Sequence, residues 1–221
     1  MFKIVLLRHG ESVWNKKGLF TGWTDVDLSP RGRSESRAAG QTLKAKKFVF
    51  DYAFTSKLKR AQKTLALVLG EMKLKNLPVK VDWRLNERHY GDLQGKNKEM
   101  IRKKYGDKQF LLWRRGYSAT PPGGESLKDV EKRVVACWRG KIMPEIKKGH
   151  LIIITASGNS LRALVKYLDK MTAAENSELN IPYGTPLVYE FDAVLKPIRH
   201  YYLGDQKKIK AVMREVKKQG K

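Results

Sequence analysis

Short apolar runs alternate with longer amphipathic stretches along this 221-residue chain, and the alternation restricts the folds that the chain can adopt. The first run, residues 2–7, and the almost purely apolar run at 151–154 are typical of buried strands. Four more candidate strands lie at 51–54, 78–81, 187–191 and 198–203, and the last two could form a hairpin. The pattern predicts an α/β fold, a three-layer sandwich with a mostly parallel sheet and helices on both faces.

Four helices are predicted between these strands. Ser29-Pro30 combines a capping residue with a proline at the first helical position and opens a helix to about residue 46. Apolar residues at helical spacing predict three more helices, at 58–72, 127–142 and 161–168. Residues 86–124 are the least regular stretch, and loops of this kind commonly carry function.

The sequence contains no internal repeat and no linker, so we expect a single domain over residues 1–221. Within it, residues 204–221 form a basic C-terminal tail in which lysines surround a few apolar residues. A solvated terminal helix or a partly ordered flap is favoured for this tail over a helix that meets a membrane or a partner.

The charge balance is strongly basic, with 46 lysines and arginines against 22 acidic residues and a net charge of +24. Such a surface attracts anions, which could be nucleic acid or small phosphorylated metabolites. A single cysteine, Cys137, allows neither an internal disulfide nor a zinc cluster. Because we find neither a signal peptide nor an apolar run long enough to span a membrane, we expect a cytoplasmic protein.

Two chemically notable positions, Arg8-His9 and Ser157, come directly after predicted strands. In sheets of this kind ligands bind beyond the carboxyl ends of the strands. A neutral imidazole can attack a phosphoryl group, an adjacent arginine can grip phosphate oxygens, and Gly10 lets backbone N–H groups approach an anion. The tripeptide Arg-His-Gly is weak evidence alone, because it could also occur by chance in a loop.

The surroundings of this tripeptide resemble the phosphoglycerate mutases that use 2,3-bisphosphoglycerate, a family of the histidine phosphatase superfamily. The segments that carry the resemblance are residues 8–15, 20–29, 55–61, 85–98, 113–115, 158–164 and 186–191. Among them, Asn-Glu-Arg-His-Tyr-Gly at 86–91 is specific to the mutases rather than to the wider superfamily.

The resemblance implies a phosphoglycerate mutase-like fold with one antiparallel edge, and a role for each matching residue. His9 would carry the phosphoryl group as phosphohistidine, and Glu87 would act as general acid and base on the substrate hydroxyl. Substrate-binding residues would be Arg8, Asn15, Thr21, Gly22, Arg60, Arg88, His89, Tyr90, Lys98, Arg114, Arg115, Gly158 and Asn159. The implied activity is the interconversion of 2- and 3-phosphoglycerate in glycolysis and gluconeogenesis, with 2,3-bisphosphoglycerate as phosphoryl primer and no metal.

Without the family context, several of these residues have simpler interpretations. Arg114-Arg115 could be an exposed basic turn, Glu87 could merely pair with Arg88, and a lone His89 is more often structural than catalytic. We give His89 no catalytic role, although it lies within the binding block.

The resemblance breaks at Ser157, where the family pattern has a second catalytic histidine before Gly-Asn-Ser-Leu-Arg-Ala-Leu. A serine offers one neutral hydrogen bond and no positive charge to the transferring phosphoryl group. Losing a preorganised donor of this kind typically costs about 10²–10³ in rate. His9 and Glu87 remain, so we expect slowed transfer, and no motif places His150 or His200 to substitute.

The segment 121–126 is shorter than in many members of the family, where a longer insertion contributes to subunit contacts. We expect a homodimer, with a tetramer as the alternative. Two functional alternatives stay open beside the mutase: a phosphatase that uses water as the acceptor, and a non-catalytic relative that binds phosphorylated acids. Nucleic-acid binding is disfavoured, because no recognition helix or stacking platform is evident. We also expect no membrane partner.

Overall fold

A six-stranded sheet forms the centre of the computed structural model, which describes residues 1–218. Its strands are β1 Phe2–Arg8, β2 Tyr52–Thr55, β3 Val79–Val81, β4 Ile152–Ala156, β5 Pro186–Phe191 and β6 Pro197–Tyr202. They are arranged in the order β3-β2-β4-β1-β5-β6. The pairs β2–β3, β2–β4 and β1–β4 are parallel, whereas β1–β5 and β5–β6 are antiparallel. The predicted mostly parallel sheet with an antiparallel edge is confirmed.

Helices connect the strands and cover both faces of the sheet. They are α1 Val13–Lys16, α2 Pro30–Ala45, α3 Lys59–Met72, α4 Lys98–Arg115, α5 Leu127–Cys137, α6 Met143–Lys147, α7 Gly158–Asp169, α8 Ala173–Glu178 and α9 Gln206–Lys218. The predicted start of α2 is found, because the Ser29 side chain accepts a hydrogen bond from the Gly32 N–H and Pro30 is the first helical residue. Within the described residues, no helix combines the length and apolarity needed to cross a membrane.

Side chains of β1 alternate between two apolar cores, as the period of two along a strand requires. Ile4 and Leu6 pack into a core with residues of α5 and α7, whereas Val5 and Leu7 pack into a core with residues of α2 and α3. These four side chains are at most 1% exposed, and burying each one contributes roughly 1.5–3 kcal/mol. The three-layer arrangement follows from this alternation.

Residues 86–124, the stretch with the least regular sequence pattern, contain the 18-residue helix α4, which the sequence did not predict. Only Ile101 and Phe110 of this helix are buried, so its sequence carries little apolar periodicity. The helix bends at Gly106, whose φ of 78° favours glycine. Ile101 and Phe110 pack on Phe20 and Tyr90 in a third, smaller core.

The single helix predicted over residues 127–142 is interrupted near its C-terminal end. α5 ends at Cys137, and a π-helical turn over Trp138–Ile142 leads into α6. Pro144 has no N–H to donate to the carbonyl four residues earlier, which accounts for the altered hydrogen-bond pattern at this point.

The basic tail is a helix in the part that the structure describes. Ile209 and Val216 of α9 are buried, and both terminal nitrogens of Arg31 donate to the Glu215 carboxylate at 2.6 and 2.7 Å. α9 therefore packs on the body of the protein with its apolar side, as a terminal helix or flap would. Residues 219–221 of the predicted tail lie outside the described residues.

Candidate active site

The carboxyl ends of β1 and β4 lie side by side, because the two strands are parallel and Arg8 is paired with Ala156. A pocket opens at this end of the sheet. The predicted site residues that line it are Arg8, His9, Asn15, Thr21, Gly22, Arg60, Glu87, Tyr90, Lys98, Arg114, Arg115, Gly158 and Asn159. Residues far apart in the sequence, such as His9 and Glu87, therefore line one pocket by tertiary folding.

His9 is held in one orientation and one tautomer. Its backbone N–H donates to the Ala156 carbonyl at 3.0 Å, and its Nδ1 lies 2.6 Å from the Gly10 carbonyl oxygen. The Arg60 Nε, which can only donate, lies 3.2 Å from His9 Nε2. The proton is therefore assigned to Nδ1, and Nε2 carries the lone pair.

The environment of His9 keeps the imidazole neutral. Burial lowers its pKa well below the usual value, the charges of Arg60 and Arg8 lower it further, and the Gly10 carbonyl opposes these effects in part. A neutral imidazole with a free lone pair on one nitrogen and a fixed proton on the other is the form that acts as a nucleophile.

The loop that follows His9 packs tightly against the start of α2. A Cβ at Gly10 would lie 2.1 Å from the Gly32 carbonyl oxygen, and a Cβ at Gly32 would lie 2.0 Å from the Glu11 carbonyl oxygen. The Gly10 N–H donates to the Thr64 hydroxyl at 3.1 Å. The two backbone segments can pack this closely because both positions are glycine. The close packing fixes the position of His9.

Positive charge in the pocket greatly exceeds negative charge. Among the described residues that line it, Glu87 is the one acidic side chain, and the cationic ones are Arg8, Arg60, Lys98, Arg114, Arg115 and Arg162. Burial lowers the pKa of Arg60 and of Arg114 to about 10 each, and that of Lys98 well below its usual value. The charged forms of these three side chains are disfavoured because they are buried with few acidic groups nearby. A bound anion would supply the missing negative charge.

Buried polar atoms without a protein hydrogen-bond partner are concentrated in and beside this pocket. Within residues 1–218 they include Arg8 Nε, Thr21 Oγ1, Arg88 Nη1, Arg114 Nε and Ser157 Oγ. Buried donors are normally satisfied, so a cluster of unsatisfied donors indicates a ligand with several acceptor oxygens. No group of acidic, histidine and cysteine residues suited to a metal ion occurs in the described part of the chain.

Glu87 is positioned by main-chain donors. Its Oε1 accepts hydrogen bonds from the N–H groups of Arg88 at 2.8 Å and Asn159 at 3.2 Å, and its carbonyl accepts from the Trp23 indole. The Asn159 amide in turn donates to the Tyr90 hydroxyl at 3.2 Å. The carboxylate is thus fixed on the wall of the pocket, where it could exchange a proton with a bound hydroxyl group.

A family model for the histidine phosphatase superfamily, branch 1, matches residues 4–201, from β1 to β6. The chain belongs to this superfamily. The matched range includes His9 and the strands whose ends form the pocket, whereas α9 lies beyond it.

Solved structures of other proteins share the fold of this chain. The native mycobacterial glucosyl-3-phosphoglycerate phosphatase is 28% identical, with 91% of this chain and 96% of that chain covered and a TM-score of 0.71. YhfR of Bacillus stearothermophilus is 26% identical, with 86% and 91% covered and a TM-score of 0.76. The α-ribazole phosphatase of Shigella flexneri is 24% identical, with 92% and 96% covered and a TM-score of 0.77, which shows the fold alone.

Three predicted site residues of this chain do not line the pocket: Arg88, His89 and Ser157. The Arg88 guanidinium donates instead to the carbonyls of Ala119 and Glu125, both at 2.6 Å, so it ties two loops together. The roles predicted for these three residues, substrate binding by Arg88 and His89 and a catalytic position at Ser157, stay predictions.

The other two residues have different surroundings. The His89 Nδ1 accepts from the Gly91 N–H, and its ring meets Trp23 edge-on at 5.2 Å, which is the structural role that a lone histidine commonly has. Ser157 is fully buried at the start of α7, directly before the lining residue Gly158. Its hydroxyl has no hydrogen-bond partner within residues 1–218 and lies directly beside the wall of the pocket.

Several residues that line the pocket were not predicted from the sequence. They are Leu19, Phe20, Arg162, Leu179, Asn180, Ile181, Tyr183 and Val216. Arg162 stood within the motif at 158–164 and could have been found there, since its Nη1 donates to Asn159 Oδ1 at 3.0 Å. Tyr183 lies in a loop with no motif signal, and only the fold brings its ring to 6.2 Å from the His9 ring.

Proposed function

We propose that this member of the histidine phosphatase superfamily removes phosphoryl groups from small phosphorylated carboxylic acids by forming a phosphohistidine at His9. The observation that carries the proposal is the His9 geometry: a neutral ring, a proton fixed on Nδ1 and a lone pair on Nε2 beside the Arg60 guanidinium. When a phosphate binds, the Arg60 guanidinium can donate its hydrogen bond to a charged phosphate oxygen and no longer to His9 Nε2. The Nε2 lone pair is then free to attack phosphorus.

The first half-reaction needs only groups that the pocket contains. The Nε2–P bond forms as the ester P–O bond breaks, and the leaving oxygen takes a proton from Glu87. The imidazole ring, which keeps its Nδ1 proton, becomes cationic, and the Gly10 carbonyl stabilises that charge. Cationic side chains such as Arg8 and Arg60 neutralise the negative oxygens of the phosphoryl group.

In the second half-reaction, water is the acceptor that the comparisons support. A related solved structure, 28% identical to this chain, is named as a glucosyl-3-phosphoglycerate phosphatase. Glu87, now ionised, takes a proton from the attacking water as the N–P bond breaks, and inorganic phosphate leaves. The protein would then be a phosphatase.

The second candidate is the phosphoglycerate mutase reaction, in which the acceptor is the neighbouring hydroxyl of the substrate and 2,3-bisphosphoglycerate is the primer. The observation that favours it is the amount of positive charge, because Lys98, Arg114 and Arg115 line the pocket in addition to Arg8 and Arg60. One phosphate does not require so many cations, whereas a bisphosphoglycerate carries two phosphates and a carboxylate. The sequence block at 86–91 supports the same candidate.

One experiment tests the phosphohistidine on which both candidates depend. The protein is incubated with 2,3-bisphosphoglycerate, and acid-labile phosphate is located by mass spectrometry. We expect it on His9 and absent from a His9→Ala variant, whereas His150→Ala, a histidine beside Glu145 and outside the pocket lining, should leave labelling unchanged. No labelling in the wild type would favour the non-catalytic relative that binds phosphorylated acids.

The fate of the phosphoryl group identifies the acceptor. Release of inorganic phosphate from 3-phosphoglycerate or 2,3-bisphosphoglycerate would support the phosphatase. Formation of 2-phosphoglycerate from 3-phosphoglycerate, dependent on the bisphosphate primer, would support the mutase.

The expected homodimer stays a proposal, and the exposed edge of the sheet supports it. β3 is an edge strand, and Val79, Val81 and Trp83 in and beside it are 45–47% exposed. Unpaired edge strands with apolar side chains readily pair with a second chain. Light scattering should give twice the mass of one chain, and a Val81→Lys variant should shift that mass towards the monomer. The cytoplasmic location also stays a prediction.

A further inference from the structure

The segment 181–184 contacts Arg8 in three different ways. The Arg8 Nη1 donates to the Ile181 carbonyl at 2.7 Å, and the Gly184 N–H donates to the Arg8 carbonyl at 3.1 Å. The central carbon of the Arg8 guanidinium lies 3.8 Å from the centre of the Tyr183 ring. The segment therefore holds both the main chain and the side chain of this arginine.

The conformation of this segment is itself fixed. Gly184 has a φ of 55°, and a Cβ there would lie 2.8 Å from the Glu35 Cβ in α2, so the position requires glycine. Pro182 restricts the backbone φ between the two contacts. Tyr183 is only 4% exposed, so its ring cannot swing freely away from Arg8.

Arg8 is held in this way at the wall of the pocket, and its buried Nε donor has no hydrogen-bond partner within residues 1–218. A Cβ at Gly158 would lie 3.2 Å from both Nε and Cζ of Arg8, so the start of α7 also bounds the guanidinium. A free arginine side chain has many rotamers, and an aromatic face removes most of that freedom by fixing the plane of the fork.

We propose that Tyr183 is a positioning residue that holds the Arg8 guanidinium in the plane in which its donors meet the phosphoryl oxygens. This rests on the proposed function, because Arg8 is taken there as a phosphate ligand. The ring acts through Arg8 and need not touch the substrate.

The test measures binding of inorganic phosphate, by calorimetry, to the full chain and its variants. Removing the aromatic face in Tyr183→Leu should weaken phosphate binding by about tenfold, within the range known for desolvated arginine–aromatic contacts. Tyr183→Phe keeps the ring plane and should stay within about twofold of the wild type, since the contact is made by the ring face. If Tyr183→Leu does not fold, Tyr183→Met fills a similar space without a ring plane and carries the same expectation.

A double-mutant cycle shows whether the effect passes through Arg8. Lysine has no planar fork, so in an Arg8→Lys background the change Tyr183→Leu should alter phosphate affinity by less than about twofold. A merely structural role for Tyr183 would predict the same loss in both backgrounds. Equal losses would therefore overturn the inference.

A matched control comes from a second arginine–tyrosine pair outside the pocket. The Arg139 guanidinium lies 5.2 Å from the Tyr167 ring centre, and neither residue lines the site. Tyr167→Leu should leave phosphate affinity unchanged. If the wild type binds no phosphate at all, the proposed function fails; if it binds and Tyr183→Leu binds equally well, only the positioning role fails.

Discussion

Replacing Ser157 with histidine should accelerate phosphoryl transfer to His9. Ser157 follows β4 and precedes the lining residues Gly158 and Asn159, at the start of α7. Its hydroxyl is fully buried and has no partner within residues 1–218, so it can offer the transferring group one neutral hydrogen bond. An imidazolium at the same position would add a positive charge close to the oxygens on which negative charge develops.

The magnitude follows from what a single preorganised donor contributes. Removing one such donor typically costs about 10²–10³ in rate, or roughly 3–4 kcal/mol. The serine hydroxyl recovers part of that, so we expect Ser157→His to raise the single-turnover rate by at least about tenfold. Rapid quenching with labelled 2,3-bisphosphoglycerate measures the formation of phosphohistidine directly.

Ser157→Ala provides the matched control, because it removes the hydroxyl without adding a charge. A serine before a helix usually caps it, and its loss then costs about 0.5–2 kcal/mol of stability. Here the Ser157 side chain makes no capping hydrogen bond, and an unpartnered buried hydroxyl carries a desolvation penalty of about 1–3 kcal/mol. Ser157→Ala should therefore unfold at the same temperature as the wild type or higher, while transfer becomes slower. If Ser157→His folds, binds phosphate normally and gains no rate, a missing imidazole does not limit this site.

Three further predictions concern the nucleophile, the acid–base group and the backbone near them. Because burial and two arginines lower the pKa of His9, its imidazole should stay neutral at pH values below 6.5, and the phosphorylation rate should not fall as the pH is lowered through 6.5. The unfolded chain binds this proton more readily than the folded protein, so lowering the pH should also favour unfolding; NMR titration and thermal melting measure the two effects. Glu87→Gln should retain phosphate affinity but slow transfer by about 10²–10⁴, because an amide cannot exchange the proton; an unchanged rate would remove Glu87 from the mechanism. Alanine favours helices, but Gly32→Ala should destabilise the protein by at least about 1 kcal/mol, because the new Cβ would clash with the Glu11 carbonyl. Gly70→Ala in α3 is the control: a Cβ there has open space, so the variant should be more stable by up to about 1 kcal/mol, as thermal melting would show.

The strands could be predicted from the sequence because most of them are buried on both faces. β4 is buried at every residue and is therefore apolar at nearly every residue, which leaves a continuous signal. α4 could not be predicted in the same way, because its only fully buried apolar residues are Ile101 and Phe110, and Trp113 is only partly buried. A helix that covers a charged pocket, with Arg114 and Arg115 at its end, has no apolar stripe to reveal it.

The sequence by itself determined the fold class, since the alternation of strands and helices is a local feature, and its resemblance to a known family implied most of the residues around the pocket. Only the tertiary structure decided the state of His9, because the groups that fix its tautomer are the adjacent Gly10 carbonyl and a guanidinium 51 residues away. The same holds for Arg162 and Tyr183, which meet the other site residues through packing between distant segments. Local patterns record which side chains are buried, whereas distances and charges between groups far apart in the chain exist only once the chain has folded.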